Sequence, residues 1–172
     1  DNVGFVYSLN LENGELIWIK NLDVSLKSRI KIFDNKIFLV NQDNRIICLD
    51  IKTGAKVWDI RLVTSFIKAQ SFNSLAISKS GNLFSLSTTG ELIKAKTTNG
   101  TIQWSLNAAP STFSHDTDFF KSSNIVITEE EVIFFASKYL LSFNLFNGYL
   151  NWSKDLSSTS IPIIDGNNIF LV

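Results

Sequence analysis

One segment recurs four times along the chain, and each copy places a glycine four residues before a tryptophan. The pairs are Gly14 with Trp18, Gly54 with Trp58, Gly100 with Trp104, and Gly148 with Trp152. They use every tryptophan in the sequence, and consecutive glycines lie 40, 46 and 48 residues apart. That period is typical of a four-stranded propeller blade with loops of variable length, not of a helical repeat.

The segments between these motifs indicate short β-strands. They are rich in Ile, Val, Phe and Leu, polar turn residues separate them, and only two prolines occur in 172 residues. Several runs are apolar on both faces, which favours blades that stack against one another. For the second repeat the predicted strands are Arg29 to Phe33, Ile37 to Asn41, Arg45 to Leu49 and Lys56 to Leu62, with turns at Asp34-Asn35, Gln42 to Asn44 and Lys52 to Gly54.

The sequence therefore predicts an all-β fold, a propeller of four-stranded antiparallel blades forming a single domain or a fragment of one. The repeats span approximately residues 1–22, 23–65, 66–108, 109–156 and 157–172. The first supplies only third and fourth strands and the last only first and second strands, so the total equals four blades. We expect the chain to be part of a larger propeller, for example an eight-bladed one. An open half-ring, or a ring completed by self-association, is favoured over four-blade closure through pairing of Phe5 to Leu9 with Ile169 to Val172.

The repeated residues suit a structural role. Each glycine is expected to turn a hairpin with positive φ. The side chains of Asn10, Asp50 and Asn144, four residues before a glycine, are expected to accept hydrogen bonds from turn amides, which Lys96 of the third repeat cannot do. Each indole should be largely buried against the next blade and donate its N–H to that blade's backbone. A ligand lying close to the glycines, or a flat cofactor stacked on the indoles, is the disfavoured alternative, because four equally spaced copies indicate architecture.

This pattern resembles the PQQ-like repeat, whose consensus runs roughly Ala-x-Asp-x-x-Thr-Gly-x-x-x-Trp. The second copy fits best, with Asp50, Thr53, Gly54 and Trp58 in place and a small Cys48 at the alanine position. Ser8 and Ser142 keep that position small, whereas Lys94 departs from it. The resemblance covers nearly the whole chain and implies a propeller with more than four blades. It says little about function, because the fold serves unrelated roles.

Few residues indicate chemistry, and no catalytic, cofactor-binding or metal-binding residue is predicted. Quinoprotein dehydrogenases share the repeat, and the resemblance would imply an adjacent cysteine pair over the quinone and carboxylates for calcium, but Cys48 is the only cysteine. His115 with Asp116 and Asp118 could form a small metal or acid-base site, although a solvated loop is the favoured interpretation. Glu129 to Glu131 could bind a cation. The favoured interpretation is a solvated turn whose charges prevent the strand edge from pairing with another chain. We therefore expect no cofactor and no enzymatic activity.

The charge balance narrows the expected partners. Sixteen basic and sixteen acidic residues cancel, and no block of like charges suggests a nucleic acid. No apolar stretch approaches the ~20 residues needed to span a bilayer. A scaffold that binds other proteins through its loops is the expected role.

Among non-enzymatic members of the family, the sequence is most similar to the BamB-type subunits of the bacterial outer-membrane β-barrel assembly machinery. This resemblance implies a periplasmic, lipid-anchored propeller that binds the barrel-inserting subunit. Two rival functions remain open. One is a sector of a PQQ-dependent oxidoreductase, and the other is a luminal stress-sensing domain that binds unfolded protein.

Overall fold

The computed structural model describes residues 3–62, 73–108, 122–136, 138–156, 158 and 160–171. The regular secondary structure in these ranges is entirely β, which confirms the predicted fold class. The strands are β1 (Phe5–Leu9), β2 (Leu16–Asn21), β3 (Lys31–Phe33), β4 (Lys36–Val40), β5 (Arg45–Asp50), β6 (Lys56–Arg61), β7 (Ser74–Ile77), β8 (Asn82–Leu86), β9 (Glu91–Lys96), β10 (Ile102–Asn107), β11 (Val126–Ile127), β12 (Glu131–Ala136), β13 (Tyr139–Asn144), β14 (Leu150–Asp155), β15 (Ile163–Asp165) and β16 (Asn168–Phe170).

Consecutive strands pair antiparallel and form three complete blades. These are β3-β4-β5-β6, β7-β8-β9-β10 and β11-β12-β13-β14. In the first of them all four predicted strands are present, with ends that shift by one or two residues. Its first hairpin turns at Asp34 and Asn35, which have φ values of 48° and 55°. Two adjacent residues with positive φ match the twist of the flanking strands, and Asp and Asn tolerate that conformation better than most residues.

A two-stranded sheet lies at each end of the chain. The sheet β1-β2 corresponds to the third and fourth strands of a blade, and β15-β16 corresponds to the first and second. Closure into a four-bladed ring would place β1 beside β16 in one sheet, but the two strands belong to separate sheets. The strand pairing that four-blade closure requires is therefore not formed by the described strands, and the open half-ring and the blade number of a complete ring stay predictions.

The core lies between neighbouring blades because the inner strands of the complete blades bury both faces. In β4, Leu39 packs with Val6 of β1, whereas the adjacent Phe38 packs with Leu83 and Ile93 of the following blade. Successive side chains in a strand point to opposite faces, so one strand contributes to two interblade cores. This packing explains the runs that are apolar at every position.

The strand directions give the propeller two distinct ends. The turns that carry the repeated glycines lie at one end with the turns between first and second strands, and we call this end the motif face. The turns between second and third strands lie at the opposite end, where each blade connects to the next, and we call it the connection face. Near this end, for example, the amide of Gln42 donates to the carbonyl of Ser25.

Candidate functional site

The turn before each fourth strand is built around a side-chain acceptor. In the second repeat, Asp50 Oδ1 accepts hydrogen bonds from the amide of Lys52 at 3.0 Å and from the amide and hydroxyl of Thr53, both at 2.8 Å. These bonds, with the Thr53 hydroxyl contributing most, lower the pKa of the Asp50 carboxyl. Asn144 Oδ1 likewise accepts from the amide of Phe146 at 2.9 Å. The predicted acceptor role is confirmed at both residues.

Asn10 accepts from the amide of Glu12 at 2.8 Å, so the first repeat is also as predicted. In the third repeat Lys96 takes the acceptor position, yet the amide of Gly100 still donates to the Lys96 carbonyl at 2.9 Å. The four motif glycines have positive φ values between 67° and 75°, as predicted. The turn therefore survives the loss of one side-chain acceptor, because its backbone hydrogen bond and its glycine conformation remain.

The indoles connect each blade to the next. Trp18 Nε1 donates to the carbonyl of Ile51 at 3.0 Å, and Trp58 Nε1 donates to the carbonyl of Thr97 at 3.2 Å. Both acceptors lie three residues before the motif glycine of the following blade. The predicted bond to a neighbour's backbone is confirmed at these two joints. The prediction that the tryptophans are largely buried was too strong, because all four are only partly buried. They lie on fourth strands, the outermost strands of each blade, so one edge of each indole remains exposed to solvent.

The joint between the third and fourth blades departs from this pattern. The corresponding acceptor is the carbonyl of Leu145, and Lys94 Nζ donates to it at 3.0 Å. Trp104 Nε1 is buried and has no hydrogen-bond partner among the described residues. Its ring still packs on the following turn, since a Cβ added to Gly148 would lie 3.0 Å from Cδ2 of Trp104. The prediction that every indole bonds the neighbouring backbone is therefore wrong at Trp104, where a lysine ammonium donates to the equivalent carbonyl instead.

Among the described residues, those considered for chemistry do not assemble into a reactive site. Burial raises the pKa of the Cys48 thiol to about 12, so this cysteine carries negligible thiolate near neutral pH. Glu129 pairs with Lys79 at 3.1 Å, and Glu131 accepts a hydrogen bond from the side-chain amide of Asn151 at 3.0 Å. In the ranges given above, no three His, Cys, Asp or Glu side chains come together as a metal ion would require.

The triplet His115, Asp116 and Asp118 lies outside the described residues. The described residues contain no helix long and apolar enough to span a membrane.

The turn between β13 and β14 exposes three large apolar side chains. Phe146 is 66% exposed, Tyr149 is 74% exposed and Leu150 is 54% exposed. We call these three residues the aromatic turn. Exposed aromatic side chains are enriched where proteins bind one another, because they bring large contact areas at a low cost in conformational entropy.

The other three motif turns have no aromatic side chain at the positions of Phe146 and Tyr149. Those positions hold Glu and Glu in the first turn, Lys and Ala in the second, and Thr and Thr in the third. Sequence reasoning had treated the four turns as equivalent and missed this feature. The available signal was the alignment of the four copies with one another, which shows two aromatic residues where the other copies are polar or small.

Comparison with known proteins assigns the chain to a family. The family model described as "Outer membrane protein assembly factor BamB" matches residues 1–172. A curated relative, outer membrane protein assembly factor BamB of Yersinia pestis, is 20% identical over 170 residues, which cover 97% of this chain and 43% of the relative. The chain thus spans less than half the length of this relative.

Two solved structures share the fold. The crystal structure of BamB from Moraxella catarrhalis has a TM-score of 0.66 at 14% identity, covering 89% of this chain and 43% of that one. The quinohemoprotein alcohol dehydrogenase of Comamonas testosteroni has a TM-score of 0.60 at 14% identity, covering 76% of this chain and 21% of the enzyme. At these identities the likeness establishes a propeller-type fold and nothing about activity.

Proposed function

The chain belongs to the family of outer membrane protein assembly factor BamB, and from this membership we propose that it is a non-enzymatic propeller scaffold that binds other proteins during outer-membrane β-barrel assembly. The observation that carries the proposal is the match of the assembly-factor family over residues 1–172. A fold shared with a dehydrogenase does not by itself distinguish a scaffold from an enzyme, so the argument depends on the sites that this chain carries.

The contacts of the motif residues support a scaffold. The side chains of Asp50 and Asn144 are used in turn hydrogen bonds, and the indoles of Trp18 and Trp58 are used at the blade joints. Cys48 is buried with a raised pKa, which disfavours a nucleophilic role. Groups already engaged in this way hold the blades in place and offer no free acid, base or nucleophile.

We assign the partner-binding surface to the aromatic turn. The fourth blade holds this turn in place, and the turn exposes two aromatic side chains and one leucine at the motif face. The proposed partner is the barrel-inserting subunit of the assembly machinery. The proposed location is the periplasm, with the full-length protein anchored to the outer membrane.

The experiment measures binding of the purified chain to the purified barrel-inserting subunit of the same organism by biolayer interferometry. Two exposed aromatic residues that act as binding hot spots contribute about 2 kcal/mol or more each. The double variant Phe146→Ser with Tyr149→Ser should therefore weaken binding by at least about thirtyfold, which is the loss expected from one such residue alone. Both residues are exposed, so the variant should fold, and a circular dichroism melt checks this.

The matched control replaces apolar residues that are also exposed but lie on other blades. Leu11→Ser alters the first motif turn, and Ile102→Ser alters the edge of the third blade. These variants should bind within about twofold of the wild type, a difference below 0.5 kcal/mol. Absence of wild-type binding would contradict the proposed function. Equal loss in the control and the aromatic-turn variant would contradict the assignment of the surface.

A further inference from the structure

A cavity of about 530 Å³ opens at the connection face, where the first strands of successive blades converge. Four segments form its walls. They are β3 with the residues before it, the start of β7, the residues before β11, and the residues before β15. The lining residues are Arg29, Lys31, Asn73, Leu75, Asn124, Ile125 and Ile161. Such a site, where several blades each contribute a residue, is fixed by the assembly of the propeller and not by one mobile loop.

The charged residues at this site are all basic. Residues 24–33, which lead into and form β3, contain Lys27, Arg29 and Lys31 and no acidic residue. The corresponding segments 73–77, 122–127 and 160–164 contain no charged residue. A chain with zero net charge therefore concentrates positive charge where its first strands meet. Neither Arg29 nor Lys31 forms an ion pair with any residue in the described ranges.

Asn73 also lines the cavity, and its side chain is held in place by the surrounding backbone. Its side chain is almost fully buried, with 3% exposed, and its Oδ1 accepts the amide of Thr88 at 3.0 Å. This bond fixes the orientation of the carboxamide, and Nδ2 has no hydrogen-bond partner among the described residues. The backbone amide of Asn73 donates to the carbonyl of Lys27 at 2.6 Å, which ties the residue to the basic segment. The two bonds hold Asn73 in a fixed position in the cavity wall beside the basic segment.

From these observations we propose that the cavity binds a small organic anion whose carboxylate or phosphate group lies against Arg29 and Lys31. The Arg29 guanidinium and the Lys31 ammonium carry only hydrogen-bond donors, which favours an acceptor-rich anionic group over a cation or a neutral amine. Leu75, Ile125 and Ile161 provide an apolar wall for the short hydrocarbon part of the ligand. Ligand sites commonly combine an apolar lining with a few polar groups that fix orientation.

The test titrates the ¹⁵N-labelled chain with sodium phosphate and, separately, with sodium hexanoate, each against sodium chloride at equal ionic strength. Amide resonances of Asn73, Leu75 and Ile125 should shift in a saturable manner with at least one of the two anions. Tighter binding of hexanoate would assign the site to organic carboxylates, and tighter binding of phosphate would assign it to phosphate-bearing ligands. Hexylamine, which has the same hydrocarbon part with a positive charge, should produce no saturable shift.

The double variant Arg29→Gln with Lys31→Gln removes both cations and should weaken anion binding by at least about tenfold, since charge-assisted hydrogen bonds are lost. Arg61→Gln with Lys154→Gln removes the same charge from outer strands and should change binding by less than about twofold. The proposal is overturned if neither anion gives saturable shifts, if hexylamine binds as well as hexanoate, or if the two double variants bind alike.

Discussion

Lys94 and Trp104 lie opposite each other on β9 and β10, and it is the Lys94 ammonium that donates to the carbonyl oxygen of Leu145. This carbonyl is equivalent to the acceptors of Trp18 and Trp58 in the other joints. The residues opposite the other three tryptophans are Ser8, Cys48 and Ser142, all too short to reach the next blade. The Lys94 ammonium also lies 5.6 Å from the centroid of the Phe146 ring, so it contacts the base of the aromatic turn. One departure from the repeat consensus thus changes both a blade joint and the surface beside it.

Lys94→Ser should restore the indole bond at this joint. The serine matches Ser8 and Ser142, and it would leave the Leu145 carbonyl to Trp104 Nε1. Satisfying a buried donor contributes about 1 kcal/mol, and removing a buried ammonium relieves a desolvation cost, so the free energy of unfolding should stay the same or rise by about 1 kcal/mol. Urea denaturation measures it, and slower hydrogen exchange of the Trp104 indole N–H reports the new bond. A loss of more than about 1 kcal/mol would show that the lysine joint is the stronger one.

The stability should depend on pH through Lys94. Burial lowers the pKa of its ammonium from the ordinary 10.5. The unfolded chain therefore binds more protons than the folded chain between the lowered value and 10.5, and stability rises with pH across that window. Lys94→Met lacks this group and nearly keeps its length, so the stability of the variant minus that of the wild type should shrink as pH rises toward 10.5. Parallel pH profiles for the two proteins would contradict the shift.

Gly54→Ala should destabilise the protein more than Gly14→Ala. Both glycines have positive φ, 67° and 73°, so alanine costs about 1–2 kcal/mol at either position. A Cβ at Gly54 would lie 2.7 Å from Cε3 of Trp18, whereas one at Gly14 would meet nothing within 4 Å. Overpacking should therefore add about 1–3 kcal/mol at Gly54 alone. Chemical denaturation of the two variants isolates this difference, and equal losses would exclude the close contact between blade and indole.

Two substitutions at Trp58 separate the contribution of the indole ring to stability from that of its N–H hydrogen bond. Trp58→Phe keeps an aromatic ring and removes the bond to the Thr97 carbonyl, so it should cost about 1 kcal/mol. Trp58→Ala also removes the packing against Phe38, whose ring centroid is 5.7 Å away. Deleting a large core aromatic costs about 3–5 kcal/mol, and a partly buried ring should fall near 3. A cost under 1 kcal/mol for the alanine variant would contradict the joint function of the indole.

Local features were predictable from the sequence because they depend on neighbouring residues. The Asp34-Asn35 turn and the Asp50 acceptor need only short-range geometry, and four copies of one motif reinforce each interpretation. The hydrogen bond from Lys94 to the Leu145 carbonyl was not predictable, because the two residues lie 51 positions apart in the chain. The cavity beside Arg29 was also not predictable, since its walls come from four separate segments.

The burial of a side chain likewise depends on neighbours that the local sequence does not reveal. Asn35 to Val40 and Asn167 to Val172 differ at one position, yet Phe38 is fully buried and Phe170 is 53% exposed. The same run of residues thus forms core in one place and surface in another. Composition and periodicity identified the strand in both cases, but the adjacent sheet determines how much of it is covered.

The indole joints have a direction. At two joints the tryptophan on the fourth strand of one blade donates forward to the turn of the next, Trp18 to the carbonyl of Ile51 and Trp58 to the carbonyl of Thr97. A blade of this kind carries the tryptophan on one side and the acceptor turn on the other, so the same interface can be repeated between blades, with the Lys94 joint as a departure from it. A gene could gain or lose whole blades by duplication or deletion without any new interface having to arise. Nearest-neighbour coupling of this kind lets repeat proteins change length while each unit keeps its fold.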